Sequence, residues 1–117
     1  KDENVSLFDV DTMKIHRLQS MKDFKTLFRF GRYRESLLFK MVIHPNSLSF
    51  TRIAFIAPKT VDKRAVIRNR LRRQAREWIR VHVPLPSRPL DIALTFKKSA
   101  AGAERNVFYE DIASLFK

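Results

Sequence analysis

The side chains best suited by type and spacing to do chemistry are cations. Between Lys63 and Arg80, KRAVIRNRLRRQAREWIR, stand seven arginines, one lysine and a single acid, Glu77, so this stretch carries seven of the twelve formal net positive charges of the 117-residue chain. Turned at about 100° per residue, Ile67, Leu71, Ala75, Trp78 and His82 fall on one face, and Arg68, Asn69, Arg70, Arg72, Arg73, Arg76 and Arg80 fill most of the remaining circumference. A solvated helix face usually mixes signs to gain pairs one turn apart. Here the arginines repel one another and only Glu77 relieves them, so the compensating negative charge is expected from another molecule. Arginine presents a flat fork of donors that grips phosphate oxygens two at a time. The chemistry in view is phosphate recognition on a nucleic acid.

Bond-breaking chemistry finds no such concentration. His16, His44 and His82 are far apart and none has the spacing of a metal-binding helix. Two glycines in the whole chain leave no phosphate-cradling loop. Asp62, Glu77, Asp91, Glu110 and Asp111 are scattered, with no pair set as acid and base. Asp9 and Asp11 lack a third ligand nearby. No catalytic and no metal-ligating residue is assigned, and any activity is expected to come from a partner.

A second constellation is aromatic. Phe24 and Phe28 stand one turn apart on a predicted helix whose polar positions include Lys22, Lys25 and Arg29, with Arg32 and Arg34 following. Such a pair either faces a core or forms a platform on which unpaired bases stack, which requires exposed rings flanked by cations.

The elements that must position these groups can be read in outline. Ser20 to Gly31 is predicted as a helix, with Ser20 as cap, Asp23 completing a weak capping box and Gly31 as terminator. Leu37 to His44 and Phe50 to Ala57 are predicted as strands, paired as an antiparallel hairpin because their connection is short. Phe39, Met41 and Ile43 point to one side of the first strand, Leu38, Lys40 and Val42 to the other, and IAFIA implies that the second is covered on both faces. KTVDKR leads into the basic helix, VPLPSRP is a stiff connector, and Leu90 to Phe96 is a third strand. After KKSAAGA, a helix capped by Asn106 docks Phe108, Ile112, Leu115 and Phe116 on the sheet.

At 117 residues with 44% hydrophobic content the chain is one domain with an ordinary core. No apolar run approaches the roughly 20 residues needed to span a bilayer, no signal peptide is visible, and there is no cysteine, so a soluble cytoplasmic protein is expected. Residues 1–12, with four acids and one lysine, read as a flexible acidic extension ahead of the domain at 13–117.

The run Arg68-Asn69-Arg70, opening an arginine helix after Ala65, Val66 and Ile67, resembles the RNR signature of the bacterial ribonuclease P protein subunits. Upstream, Arg17 and Leu18 with Asp23, Phe24, Phe28 and Gly31 are similar to that family's first helix, and Arg52 to Lys59, RIAFIAPK, to its strand before the signature. Asp91 to Phe96, DIALTF, is similar to the strand after it. The resemblance covers about Lys14 to Lys117. It departs in three places: KTVDKR lacks the usual glycine and is one residue longer, Val42 stands where the family often has an aromatic, and the acidic residues before Met13 are atypical.

The resemblance implies an α+β fold, a single-domain α/β sandwich with a mixed central sheet and a left-handed βαβ crossover through the basic helix (ribosomal-protein-S5-domain-2-like). It implies that the protein binds ribonuclease P RNA, that Mg²⁺ held mainly by that RNA carries out hydrolysis, and that the complex removes the 5′ leader of precursor tRNA. Arg68, Asn69, Arg70, Arg72 and Arg73, extended by Arg76 and Arg80, would contact the ribozyme. Phe24, Phe28, Lys40, Val42 and Lys59 would line or floor a leader cleft. The rival reading is a structural RNA-binding protein of ribosome-associated type without a ribozyme partner. A DNA-recognition helix is disfavoured because the arginines span too broad an arc for one groove edge, and a membrane-surface helix because docking hides its apolar face.

Overall fold

A computed structural model of the chain describes residues 16–84 and 86–116. The acidic stretch 1–12 and the expected domain start at Met13 lie outside the described residues. In chain order the elements are β1 (His16–Arg17), α1 (Met21–Phe30), β2 (Arg32–Glu35), β3 (Phe39–Pro45), β4 (Arg52–Ile56), α2 (Ala65–His82), β5 (Leu90–Phe96), a 3₁₀ turn (Lys98–Ala100) and α3 (Arg105–Leu115). The strands form one mixed sheet in the order β1-β4-β5-β3-β2. β1, β4 and β5 run parallel, and β3 runs antiparallel to both β5 and β2. The parallel neighbours β4 and β5 are joined through α2, which makes the βαβ unit.

Strand alternation sorts the side chains into two cores. On one face Phe39 and Met41 of β3, Ile53 and Phe55 of β4, and Ile92, Leu94 and Phe96 of β5 pack against Leu71, Ala75 and Ile79 of α2 and Phe108, Ile112 and Leu115 of α3. On the other, Val42, Ala54 and Ala93 meet Leu27 of α1 and Leu18, with Phe24 and Ile56 at the margin. The central strands are thus covered on both sides, as IAFIA implied.

The expected hairpin is not formed. β3 and β4 do run in opposite directions, but β5 lies between them, with Met41 opposite Leu94 on one side and Phe55 opposite Leu94 on the other. The connection must cross one strand, about 10 Å at ordinary sheet spacing, and it does so over the start of β5. Asn46 N–H donates to Pro89 O (3.1 Å), and Asn46 Nδ2 donates to Phe50 O (3.2 Å) and Asp91 Oδ1 (2.8 Å).

Element ends also differ in detail. Ser20 Oγ accepts from Asp23 N–H at 3.5 Å, but the Asp23 carboxylate turns to Arg52 instead of closing a capping box. Gly31 ends α1 with φ −75° and its N–H on Leu27 O. A Cβ there would lie 2.5 Å from Leu27 O and 2.6 Å from Val42 Cγ1, so close approach of helix to sheet requires glycine. α2 begins at Ala65, and its buried stripe ends on Ile79, leaving His82 exposed. Glu104, not Asn106, occupies the cap position of α3.

Candidate nucleic-acid interface

Burying Leu71, Ala75 and Ile79 fixes the roll of α2 on the sheet and turns its cations outward. They are not equivalent. Arg68 is half-buried, and its Nη1 donates to the carbonyls of Asp62 and Lys63, each at 2.9 Å. Asp62 accepts from Arg64 N–H (2.9 Å) and from the Arg64 guanidinium (3.0 Å and 3.1 Å), which holds its pKa down at about 2. The loop into the helix is therefore tied by its own charges. Arg72 donates to Asn69 Oδ1, and Arg80 pairs with Glu77 at 2.8 Å, keeping the Glu77 carboxyl below its usual range. Arg76 lies over the Phe55 ring, 5.3 Å from its centroid. Arg70 and Arg73 are exposed and have no side-chain acceptor among the described residues. The first turn of α2 holds no acid and no side-chain cap, so the positive end of the helix dipole is reinforced by cations.

The arginine face continues into the aromatic one. A recess of about 530 Å³ is bounded by Asn69, Arg72, Arg73 and Arg76 on one side and by Arg17 and Phe24 on the other, with β4 as its floor. Beside it an apolar groove of about 650 Å³ runs past Met21, Phe24 and Phe28, edged by Lys25 and Arg29. Phe24 and Ile56 line both. The Phe24 and Phe28 rings stack at 6.2 Å with their planes 16° apart. Phe24 is half-buried on the smaller core and Phe28 is 40% exposed, so the pair is half core and half platform.

α1 is held in place by charge. Arg52 reaches Asp23 at 2.9 Å and grips Asp91 with two bonds, at 2.6 and 2.9 Å, while Asn46 adds a third donor to Asp91. The Asp91 carboxylate, hydrogen-bonded to Arg52, raises the guanidinium's already high pKa. This clamp sets the distance between the aromatic helix and the sheet.

Lys40, Val42 and Lys59, the other expected cleft residues, stand outside the lining of the two recesses. Lys40 is exposed on β3 opposite Glu35 and Thr95, and Lys59 is exposed in the turn after β4. Val42 is only 4% exposed, packed beneath α1 against Gly31. Arg17, absent from the expected contact set, reaches the recess because β1 pairs with β4, and a two-residue strand leaves no periodicity to read. Among the described residues no group of three His, Asp or Glu side chains is placed to hold a metal ion, and no helix is long and apolar enough to cross a membrane.

A mixed sheet backed by an arginine helix, with an aromatic groove opening beside it, defines a nucleic-acid-binding α+β domain. The chain matches the family model described as Ribonuclease P over residues 13–117. A ribonuclease P protein component from Azoarcus is 30% identical over 102 residues, 86% of this chain and 83% of that one. Another from Chromobacterium violaceum is 35% identical over 69 residues, 59% of this chain and 57% of that one. The solved ribonuclease P protein of Thermotoga maritima superposes with a TM-score of 0.76 at 22% identity, covering 87% of this chain and 96% of that one, and shares the fold. The chain belongs to the ribonuclease P protein family. The function of that family is RNA binding and, as part of an endoribonuclease, 5′ maturation of tRNA.

Proposed function

We propose that the two parts of this surface divide the labour of a ribonuclease P subunit. Arg70, Arg72, Arg73, Arg76 and Arg80, with Asn69, meet the phosphates of ribonuclease P RNA, and Arg68 holds the loop that presents them. Phe24 and Phe28 receive unpaired bases of the 5′ leader of precursor tRNA. Lys40 and Lys59 draw in leader phosphate from the flanks, and Val42 is the floor that seats α1. Hydrolysis is the work of that RNA and of Mg²⁺ bound there. The complex works in the cytoplasm.

The observation that carries this reading is continuity: Phe24 and Ile56 belong both to the arginine-lined recess and to the aromatic groove. A leader stacked on the Phe24–Phe28 pair would then lie directly beside the RNA whose phosphates the arginines hold. The test is Phe28→Ala. Stacking on an aromatic contributes roughly 1–3 kcal/mol per base, so affinity for precursor tRNA should fall by that amount while affinity for leaderless tRNA stays unchanged. Equal loss for both substrates, with the melting temperature unaltered, would contradict the assignment of leader bases to this groove.

A further inference from the structure

A second groove of about 820 Å³ opens on the other side of α2, between that helix and α3. Its base is a run of aromatic rings. Trp78 stacks on His82 at 4.7 Å, with planes 20° apart, and on Tyr109 at 5.9 Å, with planes 11° apart. Trp78 and Tyr109 are half-buried and His82 is exposed, so the stack is anchored in the core but open to solvent. The facing wall is Ala100, Ala101 and Ala103 from the small-residue loop, whose short side chains leave the space unfilled.

The rim is cationic. Arg70 and Arg73 enter from α2 and Arg105 from the first turn of α3, and none of the three has a side-chain acceptor among the described residues. The acid on the rim, Glu77, is paired with Arg80 at 2.8 Å. Flat apolar rings beneath with unpaired guanidinium groups around them form the complement of a nucleotide, whose base stacks and whose phosphate takes the charge. A purely structural packing of Trp78 and Tyr109 explains the stack but not three arginines converging on its open edge. An acidic peptide would use the arginines and leave the open outer face of the ring stack unused.

We propose that this α2–α3 groove is a second single-stranded RNA site, which takes an unpaired nucleotide stacked on the Trp78–Tyr109 rings with its phosphate held by Arg105, Arg70 and Arg73. The rings are already in contact, so the base adds to the stack and does not enter it. The site lies across α2 from the Phe24–Phe28 groove and is reached by the same arginine surface, so one RNA can straddle the helix.

The chain's single tryptophan is Trp78, which makes the site report on itself. Titrating the full chain with a short oligoadenylate should quench Trp78 emission saturably, whereas tripolyphosphate at equal ionic strength should not. Arg105→Ala should weaken the quench about tenfold, the scale of a lost charged hydrogen bond, and Tyr109→Leu should weaken it by roughly as much through lost stacking. The quench should persist in Phe28→Ala, which separates this groove from the other. Separate titrations with ribonuclease P RNA and with precursor tRNA then identify the source by which one quenches. No quench by oligoadenylate, an equal response to tripolyphosphate, indifference to Arg105→Ala in a folded protein, or loss of the response in Phe28→Ala would overturn the proposal, as would quenching by neither natural RNA.

Discussion

Arg68 and Arg73 are one residue type on one helix, yet they do different work. Arg68 satisfies two backbone carbonyls of the preceding loop, and Arg73 stands exposed in the recess shared with Phe24. If exposed arginines take phosphates, Arg70→Ala plus Arg73→Ala lowers the salt dependence of RNA binding by about two in log–log slope, one per lost phosphate contact. Arg68→Ala should instead cost roughly 1–3 kcal/mol of stability and leave the slope nearly unchanged. Binding measured from low to moderate salt checks both, and a slope change confined to Arg68 would reverse the assignment. Asp62 makes a pH prediction from the same loop. Its carboxyl is depressed from 3.8 to about 2 by the hydrogen bond from Arg64, so the unfolded chain takes up the proton first as pH falls. The contribution of the Asp62–Arg64 contact is therefore whole above about 3.8 and is lost as pH falls through about 2. A carboxyl carbon titration by NMR should show a midpoint near 2; a midpoint at the ordinary carboxylate value would mean that Arg64 is not on Asp62 in solution.

At the scale of elements, the Arg52 clamp decides where the aromatic helix sits. Its side chain is 17% exposed and Asp91 only 10%, so Arg52→Leu strands a buried carboxylate, a loss of about 3–5 kcal/mol. Urea denaturation should show that loss, and hydrogen exchange should show α1 opening before β5; an α1 as protected as in the parent protein would mean that the clamp does not hold the helix. Arg52, Asp23 and Asp91 are all visible in the sequence, but their meeting depends on β4 and β5 pairing across residues far apart in the chain. The same long-range fact hid the sheet order. Which side of a strand each residue faces follows from its own pattern, as it did for Phe39, Met41 and Val42, whereas its neighbour is chosen by segments elsewhere, and here β5 displaced the expected hairpin. β2, RYRE, left no signal because it is an edge strand exposed along its length, with no apolar alternation to detect. α1, α2, β5 and α3 were legible because each buries a stripe whose period appears in the residues. The candidate site divides in the same way. The arginine arc of α2 and the spacing of Phe24 and Phe28 are local and could be read, whereas the burial of Val42 and the arrival of Arg17 depend on packing between distant segments.

At the scale of the molecule, the fold is a means of displaying positive charge around a neutral core. The sheet is packed on both faces, α2 and α3 cover one and α1 the other, and the seven net charges of Lys63–Arg80 are turned to the surface between two aromatic grooves. Attraction of this kind between a rigid cationic surface and a polyanion is strongest at low salt, where screening is weakest and release of the RNA's condensed counterions is most favourable. On the function proposed above, such a surface would help an RNA enzyme most when divalent ion is scarce, by screening the repulsion between ribozyme and substrate, and the protein would assist catalysis that resides in RNA. The direct measurement is cleavage of a precursor tRNA at low Mg²⁺ by a bacterial ribonuclease P RNA, with and without the protein, beside the protein alone. Strong stimulation of the RNA is expected, with no cleavage by the protein alone. Tight, salt-sensitive binding to a cognate RNA without stimulation, or cleavage at the same site by the protein alone, would contradict a supporting role for the protein in RNA-based catalysis.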